Sequence, residues 1–141
     1  MRLHDYAAAC GMALDSIKAL SVRQPFATLI INGDKTIEWR SRPIIYRGPL
    51  VICASKSKAY LSEDDADFPR GVAVGVVEIV GCRPMKERDL YAACCEGFTG
   101  NVTGFAWLLV NPRRCIAAVP VKGVVSPWPW IKRGAIDFPL A

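Results

Sequence analysis

Gly33-Asp34-Lys35-Thr36-Ile37-Glu38-Trp39-Arg40 is the stretch from which the rest of the chain can be read. From Thr36 to Arg40 polar and apolar side chains alternate strictly, the period of a half-buried β-strand. Ile37 and Trp39 then face a core, while Thr36, Glu38 and Arg40 share the opposite side. Lys35 falls out of phase with Glu38 and Arg40, and joins them only if the turn at Asp34 redirects it. Just upstream, Phe26, Leu29 and Ile30 fall at i, i+3 and i+4, one face of a helix of about two turns. Pro25 suits its first turn and Asn32-Gly33 its end, since glycine takes the left-handed cap conformation at little cost. Before that helix, Ile17 to Val22 reads as a first strand, broken by Arg23-Gln24-Pro25.

Downstream, the apolar run Leu50 to Ser55 predicts a buried strand. Lys56 to Asp67, with Glu63, Asp64, Asp65 and Asp67, predicts a solvated loop or short helix. Val72 to Cys82 is the longest β-rich segment, and Gly75 inside it marks a bulge or a close backbone approach. Lys86 to Glu96 predicts a short helix and Gly97 to Asn101 a loop. A strand over Phe105 to Val110 is expected to stop at Asn111-Pro112. Ile116 to Val121, interrupted by Pro120, then makes an edge strand before Lys122-Gly123. The tail, with Pro127, Trp128, Pro129, Trp130 and Ile131, would cover one end of the sheet. Five or six strands with two or three short helices give a mainly β, α+β fold. A barrel or strongly bent sheet is expected, with Ile37, Trp39, Ile52, Val74, Val76 and Leu108 pointing inward. Residues 1–16 read as a loose arm ahead of a single domain over 17–141. The apolar stretch Ala7 to Leu14 is short and follows Asp5, unlike a secretory signal.

The chain has 141 residues, 52% hydrophobic and 22% charged, enough for one domain with a true core. No apolar run reaches the roughly 20 residues of a membrane-spanning helix. Lys and Arg number 18 against 13 Asp and Glu, a formal charge of +5 that favours an anionic partner. Six cysteines (Cys10, Cys53, Cys82, Cys94, Cys95 and Cys115) contain no C-x-x-C pair, and His4 is the one histidine. That pattern argues against zinc and fits free thiols in a reducing cytoplasm, and no cofactor is expected. It also removes catalytic schemes that need an internal imidazole. Catalysis would have to run on Lys, Glu, Asp, Tyr, Ser or Thr.

Three blocks in order resemble the ASCH domain, a branch of the PUA-like β-barrel superfamily associated with RNA. Leu20-Ser21-Val22-Arg23-Gln24-Pro25-Phe26-Ala27 is similar to the family's SxRQP opening. Residues 33–40 fit G-x-K-x-x-E-x-R at every defined position. Trp107 through Asn111-Pro112-Arg113-Arg114 to Pro120-Val121-Lys122-Gly123 resembles the late strand pair. The resemblance spans about residues 17 to 131 and implies a PUA-like barrel with a cleft beside it, suited to RNA or a modified nucleoside. Lys35, Glu38 and Arg40 are expected to border that cleft with Ser21, Arg23 and Gln24 from the first strand end and Ser55 and Lys56 from the third, because strand ends and helix caps of a small barrel converge at its mouth. Lys35 can meet a phosphate or a carbonyl, Glu38 can accept from an exocyclic amine, and Arg40 can fork onto a phosphate or a guanine edge. Arg40, Arg42, Arg47, Lys56 and Lys58 would make a basic rim.

Other readings stay open at this point. Glu38 and Arg40 could be a surface ion pair, and Trp39 and Trp107 read as core rather than stacking platforms. One small branch of the superfamily hydrolyses an acylated cytidine through lysine, threonine and glutamate. Lys35 matches the lysine, but Glu38 stands in the threonine's place, so that triad is not reproduced. Lys35 and Glu38 are the catalytic candidates of an amidohydrolase reading, joined by Tyr46 in a ribonuclease reading. A protein-interaction adaptor is the third alternative. A monomer is favoured, without membrane association.

Overall fold

The computed structural model describes residues 1–65, 67–121, 128–130 and 136–141, with the backbone alone for Trp128. Six strands form one sheet: β1 (Lys18–Val22), β2 (Ile37–Arg40), β3 (Gly48–Ala54), β4 (Val72–Pro84), β5 (Phe105–Pro120) and β6 (Trp128–Pro129), in the order β2-β5-β4-β3-β1-β6. Two helices, α1 (Leu3–Ala9) and α2 (Phe26–Ile31), flank it. β1 and β3 run parallel, as the long crossover through α2 and β2 permits, and all other pairings are antiparallel. The register between β4 and β5 shifts three times, between Ala73 and Gly75, Val76 and Glu78, and Ile79 and Gly81. Bulges of this kind bend and twist a ladder, and the sheet curls into a half-barrel. The curl is tight enough for Arg40 on β2, at one edge of the sheet, to reach the Ser21 carbonyl of β1 at 3.0 Å.

Both faces of the sheet are covered, which explains the continuous apolar runs. All seven residues of β3 are buried. On one face Leu20, Val22, Leu50, Ile52, Val77, Ile79 and Trp107 pack with Ala27, Ile30 and Ile31 of α2. On the other, Ala19, Val51, Cys53, Ala73, Val76 and Cys115 pack under Leu3, Tyr6 and Ala7 of α1 with Trp130, Phe138 and Leu140. Burial there pushes the Cys53 and Cys115 thiols up to about 12, so they behave as small apolar side chains. All six cysteines are free thiols.

The single inward set expected from sequence therefore divides. Ile52 and Val74 face α2, and Val76 faces α1, because the irregularity at Gly75 interrupts the two-residue period. Ile37 joins a third, smaller cluster with Met85, Ala93 and Ala106, and half-buried Trp39 and Leu108 pack on its border. The expected α2 face is rotated too: Ala27, Ile30 and Ile31 are buried, while Phe26 and Leu29 are half-buried.

Four other expectations are corrected. Residues 1–16 are not a loose arm: Leu3 and Ala7 are fully buried, and Leu3 N donates to Phe138 O at 2.9 Å. The short helix expected over Lys86 to Glu96 is a 3₁₀ turn, Glu87–Asp89, followed by further turns. Its Asp89 accepts two bonds from Arg83 and one from Lys86 N, and these favour a tight turn over a continued helix. Asn111-Pro112 does not end a strand either. Asn111 adopts φ 54°, a left-handed conformation that asparagine tolerates, and the pair is absorbed as a bulge in β5. Trp130 packs edge-on against Phe138 on the α1 face, at 6.0 Å between ring centroids, rather than over a barrel mouth. Lys122, Gly123, Pro127 and Ile131 lie outside the described residues. No described helix is long and apolar enough to cross a membrane.

Candidate functional site

The turn after α2 settles the placement of Lys35. Gly33 takes φ 86° and closes the helix, and the amides of Asp34 and Lys35 both bond to Leu29 O at 3.0 Å. Thr36 N and Ile37 N bond to Ala92 O, and β2 begins only at Ile37. Lys35 thus lies before the strand, free of its alternation. Its Nζ sits 3.5 Å from Glu38 Oε1, 2.7 Å from Ala93 O and 5.3 Å from the centre of the Phe26 ring. From the other side Arg40 donates through Nε and Nη2 to Glu38 Oε2, at 2.9 and 2.7 Å. Arg40 Nη2 also reaches Ser21 O, and its guanidinium lies 5.9 Å from the Trp107 ring centre. One carboxylate therefore stands between two cations. The side chains of Lys35 and Glu38 are 3% and 8% exposed against 31% for Arg40, so the guanidinium is the accessible charge.

These groups border an open cleft of about 720 Å³, within the usual range for ligand sites. Ser21, Arg23, Lys35, Glu38 and Arg40 line it together, as expected. Two aromatic pairs are among its lining: Phe26 meets Tyr60 edge-on at 5.5 Å, and Trp39 meets Phe98 edge-on at 5.0 Å. Arg23 lies over Tyr60 at 5.6 Å, while Trp39 is anchored through Nε1 to Thr103 O at 2.6 Å. Among the described residues no buried side-chain nitrogen or oxygen lacks a partner, so the cluster is a finished structure.

Three residues of the expected site stand elsewhere. Gln24 is fully buried, accepting from Thr28 N and donating to Pro69 O, which ties the start of α2 to the loop before β4. Ser55 accepts from Ser57 N in a local turn. Lys56 lies along Gly71, and neither Ser55 nor Lys56 lines the cleft. In the expected basic rim, Arg47 turns back onto the carbonyls of Ile44, Ile45 and Tyr46. Tyr46 OH bonds to Pro49 O, away from Lys35 and Glu38. The rings Tyr60 and Phe98 and the pair Cys94-Cys95 were missed as lining residues. An exposed aromatic in a glycine loop was the signal at Phe98; nothing local marked Tyr60.

The loop that supplies Ala92, Ala93, Cys94 and Cys95 is braced by the Arg83–Asp89 pair, at 2.7 and 2.9 Å. The hydrogen bonds from Arg83, with that from Lys86 N, hold the Asp89 carboxyl below its ordinary value. A depressed acid stabilises the fold above its unfolded value near 4 and loses that contribution as pH falls through the folded value. Denaturation midpoints measured downward from pH 5 should therefore fall, and D89N should start lower and lose part of the acid dependence. An unchanged acid profile in D89N would contradict this brace.

Among the described residues no group of three His, Cys, Asp or Glu side chains is placed to hold a metal ion. A family model described as the ASCH domain matches residues 20–120. The chain belongs to the ASCH domain family. That family is associated with RNA binding. Curated relatives include human activating signal cointegrator 1, 28% identical over 127 aligned positions (77% of this chain, 21% of the relative). The mouse protein of that name is 26% identical over 126 positions, with the same shares covered. The ASCH chain thus spans about a fifth of the length of the curated relatives it matches. The crystal structure of ASCH from Zymomonas mobilis has the same fold, with a TM-score of 0.55 and 18% identity over 75% of this chain and 74% of that one. A tyrosine-to-phenylalanine mutant of that protein gives 0.53, again at 18% identity, over 75% and 76%.

Proposed function

We propose that this ASCH domain binds RNA through a nucleotide held in the cleft around Lys35, Glu38 and Arg40. The observation that carries the reading is the presence of an accessible, pre-oriented guanidinium and two aromatic pairs in the lining of one cleft. Splayed bases of single-stranded RNA stack on such rings, and a guanidinium meets phosphate in a charge-assisted pair. The +5 net charge favours the same partner. The reading places the protein in the cytoplasm, where six free thiols stay reduced, and it treats the domain as a monomer.

A hydrolytic role has less support. The Lys35 ammonium is gripped between Glu38 and the Ala93 carbonyl, which suits a fixed donor rather than an amine presenting its lone pair to a substrate. The name of the cointegrator relatives speaks for an interaction adaptor, but no described surface favours a particular protein partner.

Titration of the wild-type chain and R40A with short single-stranded RNAs, over a range of salt, tests the proposal. R40A should bind about tenfold more weakly, with a salt slope lower by about one. Equal affinity and equal salt slope in R40A would sink the proposal. Turnover of an acylated cytidine, abolished in K35A, would replace it by the amidohydrolase reading.

A further inference from the structure

The cleft does not end at Arg40. A second compartment of about 270 Å³ is lined by Trp39, Arg40, Ser41, Phe98, Asn101, Thr103 and Gly104, and it shares Trp39, Arg40 and Phe98 with the main cleft. Alone it falls just below the range of independent ligand sites, and it therefore reads as a continuation rather than a site of its own. The two compartments differ in chemistry. The main one is floored by the ion cluster and walled by two aromatic pairs. The annex offers the exposed side chains of Ser41, Asn101 and Thr103. The shared border is the Trp39–Phe98 pair with Arg40 beside it.

Arg40 suits that border. Glu38 Oε2 and Ser21 O occupy Nε and Nη2, which fixes the plane of the guanidinium, and among the described residues Nη1 has no partner. The floor of the annex is shaped by backbone contact. Gly104, at φ 82°, lies so close to Arg40 O that a Cβ there would stand 2.6 Å from it, which draws the 101–104 loop against the end of β2. Trp39 Nε1 on Thr103 O ties the same loop to the shared wall.

We infer that the ligand is a single-stranded RNA segment of at least two nucleotides, with one base in the main cleft, its neighbour in the annex, and the linking phosphate on Arg40. This rests on the nucleotide reading of the main cleft and adds the length and register of the ligand. Stacking on the Trp39–Phe98 wall is open to any base, whereas Asn101 and Ser41 donate and accept at base edges or sugar hydroxyls. The annex thus supplies affinity for chain length more than for one sequence.

The test compares ribonucleoside 5′-monophosphates with ribodinucleoside monophosphates in titrations of the wild type, N101W and N101A. Asn101 is exposed, so both variants should fold. The dinucleotides should bind about tenfold more tightly than the mononucleotides, an increment of the size of one stacked base. N101W, which fills the annex, should bring that ratio close to one, and N101A should reduce it part-way. Equal affinities in the wild type, or a ratio that N101W leaves unchanged, would overturn the annex while leaving the main cleft intact. No binding of either ligand class would overturn the nucleotide reading itself, and the annex with it.

Discussion

Replacing Glu38 by alanine is expected to lower the unfolding free energy by about 3 kcal/mol or more, the usual cost of leaving a buried charge without its partner. Glu38 is the one carboxylate between Lys35 and Arg40, and the Lys35 side chain is only 3% exposed. Without it Lys35 keeps the Ala93 carbonyl and the Phe26 ring, neither of which neutralises a charge. Arg40, partly in water, is less affected. A double variant with Lys35→Met and Glu38→Leu should recover part of the loss, because no ammonium is then left buried and unpaired. Urea denaturation of the single and double variants measures both effects. A double variant no more stable than E38A would show that the ion pair is not what the site depends on.

G75V is the second substitution expected to have a large effect. Gly75 lies opposite Arg114 of β5 at a register shift, and a Cβ there would overlap the Arg113 carbonyl oxygen and stand 2.8 Å from Ile31 Cδ1 of α2. Neither neighbour can withdraw cheaply: one is backbone in the central β4–β5 ladder, the other is core. Overpacking of this kind costs about 1–3 kcal/mol, and the branched side chain puts G75V at the upper end. G75A should lie between it and the wild type. A thermal midpoint for G75V within error of the wild type would refute the close approach.

How much of this was legible in the sequence depended on whether the deciding interaction was local. The strict alternation of residues 36–40 set Glu38 and Arg40 on one side and Ile37 and Trp39 on the other; Ile37 is core, but half-buried Trp39, expected as core, lines the cleft beside Glu38 and Arg40. The apolar runs announced β3 and β4, and Gly75 announced its close contact. The division of the core between two faces was not legible, because it depends on bulges that arise from the pairing of β4 with β5. The burial of Leu3 and Tyr6 was hidden for a similar reason, since their partners Phe138 and Leu140 lie at the far end of the chain. At the site, Ser21, Arg23, Lys35, Glu38 and Arg40 come together. Gln24 is drawn into the core by hydrogen bonds to Thr28 and Pro69, whose pairing no spacing rule encodes. Tyr60 was missed because its position depends on a long loop packing against Phe26.

The tryptophan indole N–H resonances test the central claim most directly. Trp39 lines the cleft, Trp107 is core, and Trp130 lies on the opposite, α1 face. Adding a short single-stranded RNA should shift the Trp39 indole signal, leave that of Trp130 in place, and do so less in R40A. A shift at Trp130 without one at Trp39, or no shift at saturating RNA, would contradict a nucleotide site between Lys35, Glu38 and Arg40.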